Sequence, residues 1–137
     1  MEKTIVDIAR DFAKEYYDEK TYDHACRVAN YVVANKELID YEMRLECYAL
    51  AYLHDLLEDT DFDIELIRQY SKTLANQLEL ITHDKTKDTY EEYLLKIPRG
   101  SYAWWVKMAD MKDHLMLKDT LTDKLKEKYL GGLRILL

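Results

Sequence analysis

Apolar side chains recur three and four positions apart along most of this chain, and that period constrains the fold more than any other feature. Ile5, Ile8 and Phe12 show the spacing near the N-terminus, where it predicts an amphipathic helix over residues 3 to 18. Helix-breaking residues are scarce, because the chain of 137 residues has 3 Gly and 1 Pro. The sequence therefore predicts an all-α protein, folded as a single helical-bundle domain over residues 1 to 137.

The same period predicts seven further helices, several of them with recognisable boundaries. Asp40 and Ser101 are suited to the N-cap positions of the third helix and of a long helix near the C-terminus. A polar break is predicted over residues 19 to 23, and Gly131 and Gly132 favour a close crossing between the last helix and a neighbour. The apolar patterns of these helices cover residues 24 to 33, 45 to 56, 64 to 70, 74 to 81, 90 to 97, 104 to 115 and 121 to 136.

Charge and composition argue against a nucleic-acid-binding, a disulfide-bonded and a membrane protein. A net charge of -7 disfavours non-specific binding to nucleic acid, which depends on neutralising phosphates, so any phosphate ligand must be held locally by a metal or a few basic side chains. Cys26 and Cys47 lie in apolar helical patterns without metal-ligand spacing, and we expect buried, reduced thiols. No apolar run has the length of a signal peptide or a membrane span, so we expect a cytoplasmic protein without a membrane partner.

The stretch His-Asp-Leu-Leu-Glu-Asp, residues 54 to 59, carries the strongest chemical signal. On a continuous helix, His54 lies over Glu58 and Asp55 lies over Asp59. An imidazole beside several carboxylates suits a divalent cation with open coordination positions, and this mixed set favours Mn or Fe. A metal site here needs further ligands from elsewhere in the chain.

Two other predicted helices offer such ligands. Asp110 lies in a strongly apolar helix, where an isolated buried carboxylate is costly, so it is the natural further ligand. His24 lies on or beside the apolar stripe of the second helix, where a satisfied core histidine is the commoner role. Arg27 can meet either a carboxylate or a phosphate. The polar stretch over residues 82 to 87 is either a binding loop or a solvated connection.

Taken in order, His24, the pair His54 and Asp55, and then Asp110 resemble the ligands of the HD-domain superfamily of metal-dependent phosphohydrolases. Domains of that superfamily are all-α and bind one divalent ion, or two in some branches, through these four residues. A lone His-Asp dipeptide is a weak signal, but the ordered set is a specific one.

Three longer stretches are similar to motifs of the RelA/SpoT-type and small stand-alone (p)ppGpp hydrolases. Residues 54 to 60 resemble the HDxxEDT motif, residues 82 to 86 the TDDKT loop, and residues 106 to 110 the VKLAD motif. The match covers most of residues 20 to 120, which we expect to form the core of the metal site. It implies an HD domain that removes the 3′-diphosphate from a (p)ppGpp-like nucleotide.

The resemblance also implies roles for individual residues. Its metal ligands are His24, His54, Asp55 and Asp110, with Mn as the favoured ion and Fe, Co, Ni, Zn or Mg as alternatives. The pair Glu58 and Asp59 is expected to handle the attacking water. The predicted contacts to substrate are Lys20, Arg27, Lys85 and His114, with Lys112 a further basic candidate, although each of these basic side chains also fits a solvated surface position.

Two departures from the family pattern concern the nucleotide. His114 stands where the alarmone hydrolases usually carry an Asn that contacts the nucleotide, and residues 19 to 23 stand where they have a basic loop with arginine. Two alternatives therefore remain beside the (p)ppGpp reaction. One is an HD-type nucleotidase or phosphodiesterase acting on another nucleotide, and the other is a module that senses a nucleotide without turning it over.

Overall fold

The computed structural model describes residues 3–38, 40–117 and 119–137. These residues form helices joined by short connections, with no β-strand among them, which confirms the predicted all-α class. The predicted domain bounds also include residues 1, 2, 39 and 118, which lie outside the described residues. The helices are α1 (Ile5–Tyr16), α2 (Glu19–Ala34), α3 (Tyr41–Leu53), α4 (Leu56–Asp59), α5 (Glu65–Arg68), α6 (Lys72–Ile81), α7 (Tyr90–Leu95), α8 (Tyr102–Met116) and α9 (Asp123–Leu136).

Helix α3 lies at the centre and packs against α1, α2, α6 and α8. Its C-terminal half is buried on nearly every side, from Ala49 to Leu53, as expected for a helix that is apolar all round. The chain is therefore still in the interior of the protein where this helix ends. His54, the first of them, is buried.

The polar break predicted over residues 19 to 23 is wrong, because Glu19 begins α2. The chain turns at Tyr17, which is extended, and Asp18 is the N-cap residue. Its carboxylate accepts a hydrogen bond of 2.8 Å from the backbone N–H of Thr21. A polar first turn that carries its own cap resembles a loop when only apolar periodicity is considered.

The continuous helix expected through His54 is also wrong, because the helix is interrupted between α3 and α4. In an unbroken helix the N–H of Asp55 would bond to the carbonyl of Ala51. That carbonyl instead accepts a hydrogen bond of 2.6 Å from His54 Nδ1, and the N–H of Asp55 donates to the Tyr17 hydroxyl at 3.0 Å. The interruption therefore lies between two adjacent residues, His54 and Asp55.

Both predicted N-caps are confirmed. The carboxylate of Asp40 accepts a hydrogen bond from the N–H of Met43 at 2.9 Å, and the Ser101 hydroxyl accepts one from the N–H of Trp104 at 3.2 Å. Each cap satisfies one of the N–H groups that a helix leaves unpaired at its N-terminus.

The predicted close crossing of the last helix is confirmed at Gly132. A Cβ atom at this position would lie 2.7 Å from Met111 Cε and 3.1 Å from Leu94 Cδ1, whereas one at Gly131 would meet nothing within 4 Å. Glycine at position 132 therefore allows α9 to approach α7 and α8 closely.

The two cysteines are free thiols; Cys47 is buried and Cys26 is partly buried. Among the described residues, no helix combines the length and the apolar character that spanning a membrane requires.

Candidate metal centre

Three parts of the fold bring together the four predicted metal ligands. His24 comes from α2, His54 and Asp55 from the interruption after α3, and Asp110 from α8. One nitrogen or oxygen from each side chain lies within 4.8 Å of those of the other three. His24, His54 and Asp110 are buried, and Asp55 is partly buried. This cluster can hold a divalent metal ion.

The Nε2 atoms of both imidazoles face the carboxylates. Asp110 Oδ1 lies 2.8 Å from the Nε2 of His24 and 3.2 Å from that of His54. Asp55 Oδ2 lies 3.7 Å and 3.2 Å from the same two atoms. Two imidazole nitrogens and two carboxylate oxygens thus converge on one position, and such a donor set suits a first-row divalent metal.

The far nitrogen of each imidazole is also engaged. His24 Nδ1 lies 2.6 Å from Asp113 Oδ2, and His54 Nδ1 lies 2.6 Å from the carbonyl oxygen of Ala51. Because these partners are acceptors, Nδ1 of each ring can carry a proton, and with a cation in the cluster each Nε2 would present its lone pair to that cation. The residues present therefore fit a bound metal in donor type and in the direction of their ligating atoms.

A lysine and a third histidine border the cluster at Asp110. The ammonium group of Lys107 lies 3.0 Å from Asp110 Oδ2, and Nε2 of His114 lies 3.3 Å from Oδ1. Burial by itself raises the pKa of Asp110, but the charge of Lys107 and hydrogen bonds from the histidines hold it well below its usual range. Asp110 is therefore ionised and available to a cation.

The predicted acid-base pair lies on α4, beside the cluster. The Glu58 carboxylate accepts a hydrogen bond of 2.6 Å from the N–H of His83. Glu58 and Asp59 are open to solvent, yet surrounding protein displaces part of their hydration and, together with the charge of Asp55, raises the pKa of both carboxyl groups. Each can therefore hold a proton at a higher pH than an ordinary surface carboxyl.

A cavity of about 120 Å³ opens directly on the metal cluster. Asp55 and Asp110 form part of its wall, Glu58 stands beside them, and three lysines contribute ammonium groups from the 82–89 connection, α8 and α9. The cavity is thus suited to an anion placed next to a cation. Its lining residues are Asp55, Glu58, His83, Lys85, Tyr90, Tyr93, Lys107, Asp110, His114, Lys128 and Tyr129.

The four predicted substrate contacts divide into two groups. Lys85 and His114 line the cavity. Lys20 and Arg27 are not among its lining residues: Lys20 is exposed in the first turn of α2, and Arg27 Nε donates to Asp113 Oδ1 at 2.8 Å.

Much of the cavity wall is aromatic, and sequence reasoning missed this. The ring of His83 stacks on Tyr93 at 4.7 Å and that of His114 on Tyr129 at 4.6 Å. Lys128 lies over the ring of Tyr90 at 4.5 Å from its centroid. In the sequence the tyrosines follow the apolar period, so they are indistinguishable from core positions.

A larger groove, of about 720 Å³, runs along another face of α8. It is lined mainly by apolar side chains, including Trp104, Trp105 and Met108, and by Lys112. The ammonium group of Lys112 lies over the Tyr31 ring, 4.6 Å from its centroid. None of the clustered metal-ligating residues lines this groove.

No family model matches this chain, and no curated protein matches it. The residues themselves define the site: it is a largely buried cluster of two histidines and two aspartates in an all-α fold, beside a cavity whose lining includes three lysines.

Proposed function

We propose that this protein is a metal-dependent phosphohydrolase of the HD type, acting on a nucleotide and in particular on a (p)ppGpp-like nucleotide 3′-diphosphate. The observation that carries the proposal is the convergence of two imidazoles and two carboxylates beside a lysine-lined cavity. Support for the substrate comes from the ordered motifs over residues 54 to 60, 82 to 86 and 106 to 110.

The proposed ligands are His24, His54, Asp55 and Asp110. We favour Mn as the ion, since imidazole nitrogen and carboxylate oxygen together make a mixed donor set, with Fe, Co, Ni, Zn and Mg as alternatives. A divalent ion held there would supply positive charge that polarises a phosphoryl oxygen and lowers the pKa of water.

The lysines of the cavity hold and orient the phosphate groups. Lys107 is nearly buried and is fixed by Asp110 at 3.0 Å, so its charge acts from a constant position. Lys85 and Lys128 reach the same cavity from the 82–89 connection and from α9. Preorganised ammonium groups of this kind stabilise the charge that develops on a phosphoryl group as its bond breaks.

Glu58 is the proposed proton acceptor, with Asp59 beside it. The N–H of His83 fixes Oε1 of Glu58, which leaves Oε2 to orient a water and take its proton. The raised pKa of this carboxyl group brings it closer to the value at which a general base both accepts and returns a proton near neutral pH.

His114 favours a second candidate within the same class. It stands where the alarmone hydrolases carry an Asn, and here its ring stacks on Tyr129 and contacts Asp110. A nucleotide would therefore meet an imidazole and not an amide at this position. An HD-type nucleotidase or phosphodiesterase acting on another nucleotide is the alternative that this difference supports.

The experiment is an incubation of the purified protein with Mn²⁺ and a panel of ppGpp, pppGpp, nucleoside monophosphates and cyclic nucleotides. Products are resolved by anion-exchange chromatography, with a chelator-treated sample as the control. We expect pyrophosphate and GDP from ppGpp. Orthophosphate from a monophosphate would move the assignment to the nucleotidase. Binding of Mn without turnover of any nucleotide would contradict the enzymatic proposal and favour a sensing module.

A further inference from the structure

The Nδ1 atoms of the two imidazoles, on the side away from the metal cluster, bond to different kinds of acceptor. His54 Nδ1 bonds to the backbone carbonyl of Ala51 at 2.6 Å. His24 Nδ1 bonds to the carboxylate of Asp113 at the same distance. A carboxylate is a charged acceptor and forms the stronger hydrogen bond. The orientation of the His24 ring can therefore be changed by substituting a side chain, whereas the acceptor for His54 belongs to the backbone.

Asp113 is itself held in place. Its side chain is 1% exposed, and its two oxygens are divided between two partners. Oδ2 faces His24, and Oδ1 accepts a hydrogen bond of 2.8 Å from Arg27 Nε. Both oxygens of this buried carboxylate are therefore occupied, one by an imidazole and the other by a guanidinium group.

The arrangement pairs two helices through residues three positions apart. His24 and Arg27 lie on one face of α2, and Asp110 and Asp113 lie on one face of α8. Asp110 meets the Nε2 side of the His24 ring and Asp113 meets the Nδ1 side. Both nitrogens of the His24 ring therefore contact carboxylates of the same helix, α8. Arg27 bonds to one of these carboxylates, Asp113, and is not among the residues that line the cavity.

We infer that Asp113 and Arg27 are positioning residues for the metal ligand His24. Arg27 fixes Asp113, and Asp113 fixes the tautomer and the orientation of the imidazole so that Nε2 faces the cluster. This role follows the first of the two partners that the sequence allowed for Arg27, a carboxylate. The inference rests on the metal-binding part of the proposed function and not on the identity of the substrate.

The test is calorimetric titration of Mn²⁺ into the metal-free protein and its variants. Loss of an outer partner of a ligating histidine typically lowers metal affinity 10- to 100-fold, and we expect a rise of about that size in the Kd of Asp113→Asn. Arg27→Gln should give a smaller rise, because the buried Asp113 remains. If Arg27 acts through Asp113, the double variant should bind Mn²⁺ as Asp113→Asn does, since coupled effects are not additive.

Asp23→Asn is the matched control. Asp23 is exposed on α2, and its charge acts on Arg27 without a bond to the His24 ring, so we expect its Kd to equal that of the original protein. Urea unfolding of each metal-free variant separates lost stability from lost metal affinity.

Three results would overturn the inference: Asp113→Asn that is destabilised but binds Mn²⁺ normally, additive effects in the double variant, or a rise in substrate KM for Arg27→Gln without a rise in the Kd of Mn²⁺. If the original protein does not bind Mn²⁺, both the inference and the metal-binding part of the proposed function fail. Binding of Mn²⁺ without turnover of any nucleotide would contradict the proposed function alone.

Discussion

The adjacent glycines of α9 offer a matched pair of substitutions with different expected effects. Both lie inside the helix, where replacing glycine with alanine gains about 0.5 to 1 kcal/mol of stability from the backbone alone. At Gly131 the new methyl group meets nothing within 4 Å, so Gly131→Ala should stabilise the protein by about that amount.

At Gly132 the same gain is opposed by steric overlap. The methyl group would lie 2.7 Å from Met111 Cε and 3.1 Å from Leu94 Cδ1, and both side chains are buried. Met111 must therefore shift within a packed core, and because Cε is the end of a flexible side chain we expect a cost at the lower end of the overpacking range, about 1 kcal/mol. We expect Gly132→Ala to be less stable than Gly131→Ala by about that amount.

Equilibrium unfolding in urea, followed by circular dichroism, measures this difference directly. The slope of unfolding free energy against urea should be unchanged, so that the shift in midpoint reports stability. Equal stability of the two alanine variants would refute the reasoning, because it would show that α9 does not approach α7 and α8 as closely as described.

The remaining predictions concern the metal cluster. Glu58→Gln should retain the metal and lose turnover, and an unchanged kcat would remove Glu58 from the mechanism. His54→Ala should lose bound metal by elemental analysis; a stoichiometric amount retained would refute its role as a ligand. Although burial lowers the pKa of His54, Asp55 and Asp110 raise it to about 9, above the unfolded value of about 6.5. In the metal-free protein this stabilisation, roughly 3 kcal/mol, should be complete below pH 6.5 and lost as pH rises through 9, measured by urea unfolding across pH.

The helical class and the ligands His54, Asp55 and Asp110 could be predicted because each left a local signal, whereas His24 was assigned as a ligand through the resemblance to the HD pattern. The apolar period marks the helices, and caps such as Asp40 and Ser101 are read from single residues. Asp110 stood out because a carboxylate in an apolar stripe needs a partner. The close crossing was predicted for the glycine pair, although only the structure shows that Gly132 alone needs it.

The features that could not be predicted depend on residues far apart in the chain. At the interruption after α3, the N–H of Asp55 bonds to the hydroxyl of Tyr17, which directly follows α1 and lies 38 residues before Asp55. The pairing of Arg27 with Asp113 joins positions 86 residues apart. Local periodicity contains no information about such contacts, so the sequence left Arg27 open to a carboxylate or a phosphate, and the structure shows its Nε bonded to the carboxylate of Asp113.

Because its residues are far apart in the sequence, the metal cluster exists only in the folded protein. His24 and Asp110, 86 residues apart, meet only after α2 and α8 have docked, so the unfolded chain contains no preformed site. Any ion that the cluster binds therefore stabilises only the folded form, by about 2.7 kcal/mol at a free concentration 100 times its Kd. Metal supply would then set the resistance of the chain to proteolysis, because protease attack follows the small population that is unfolded.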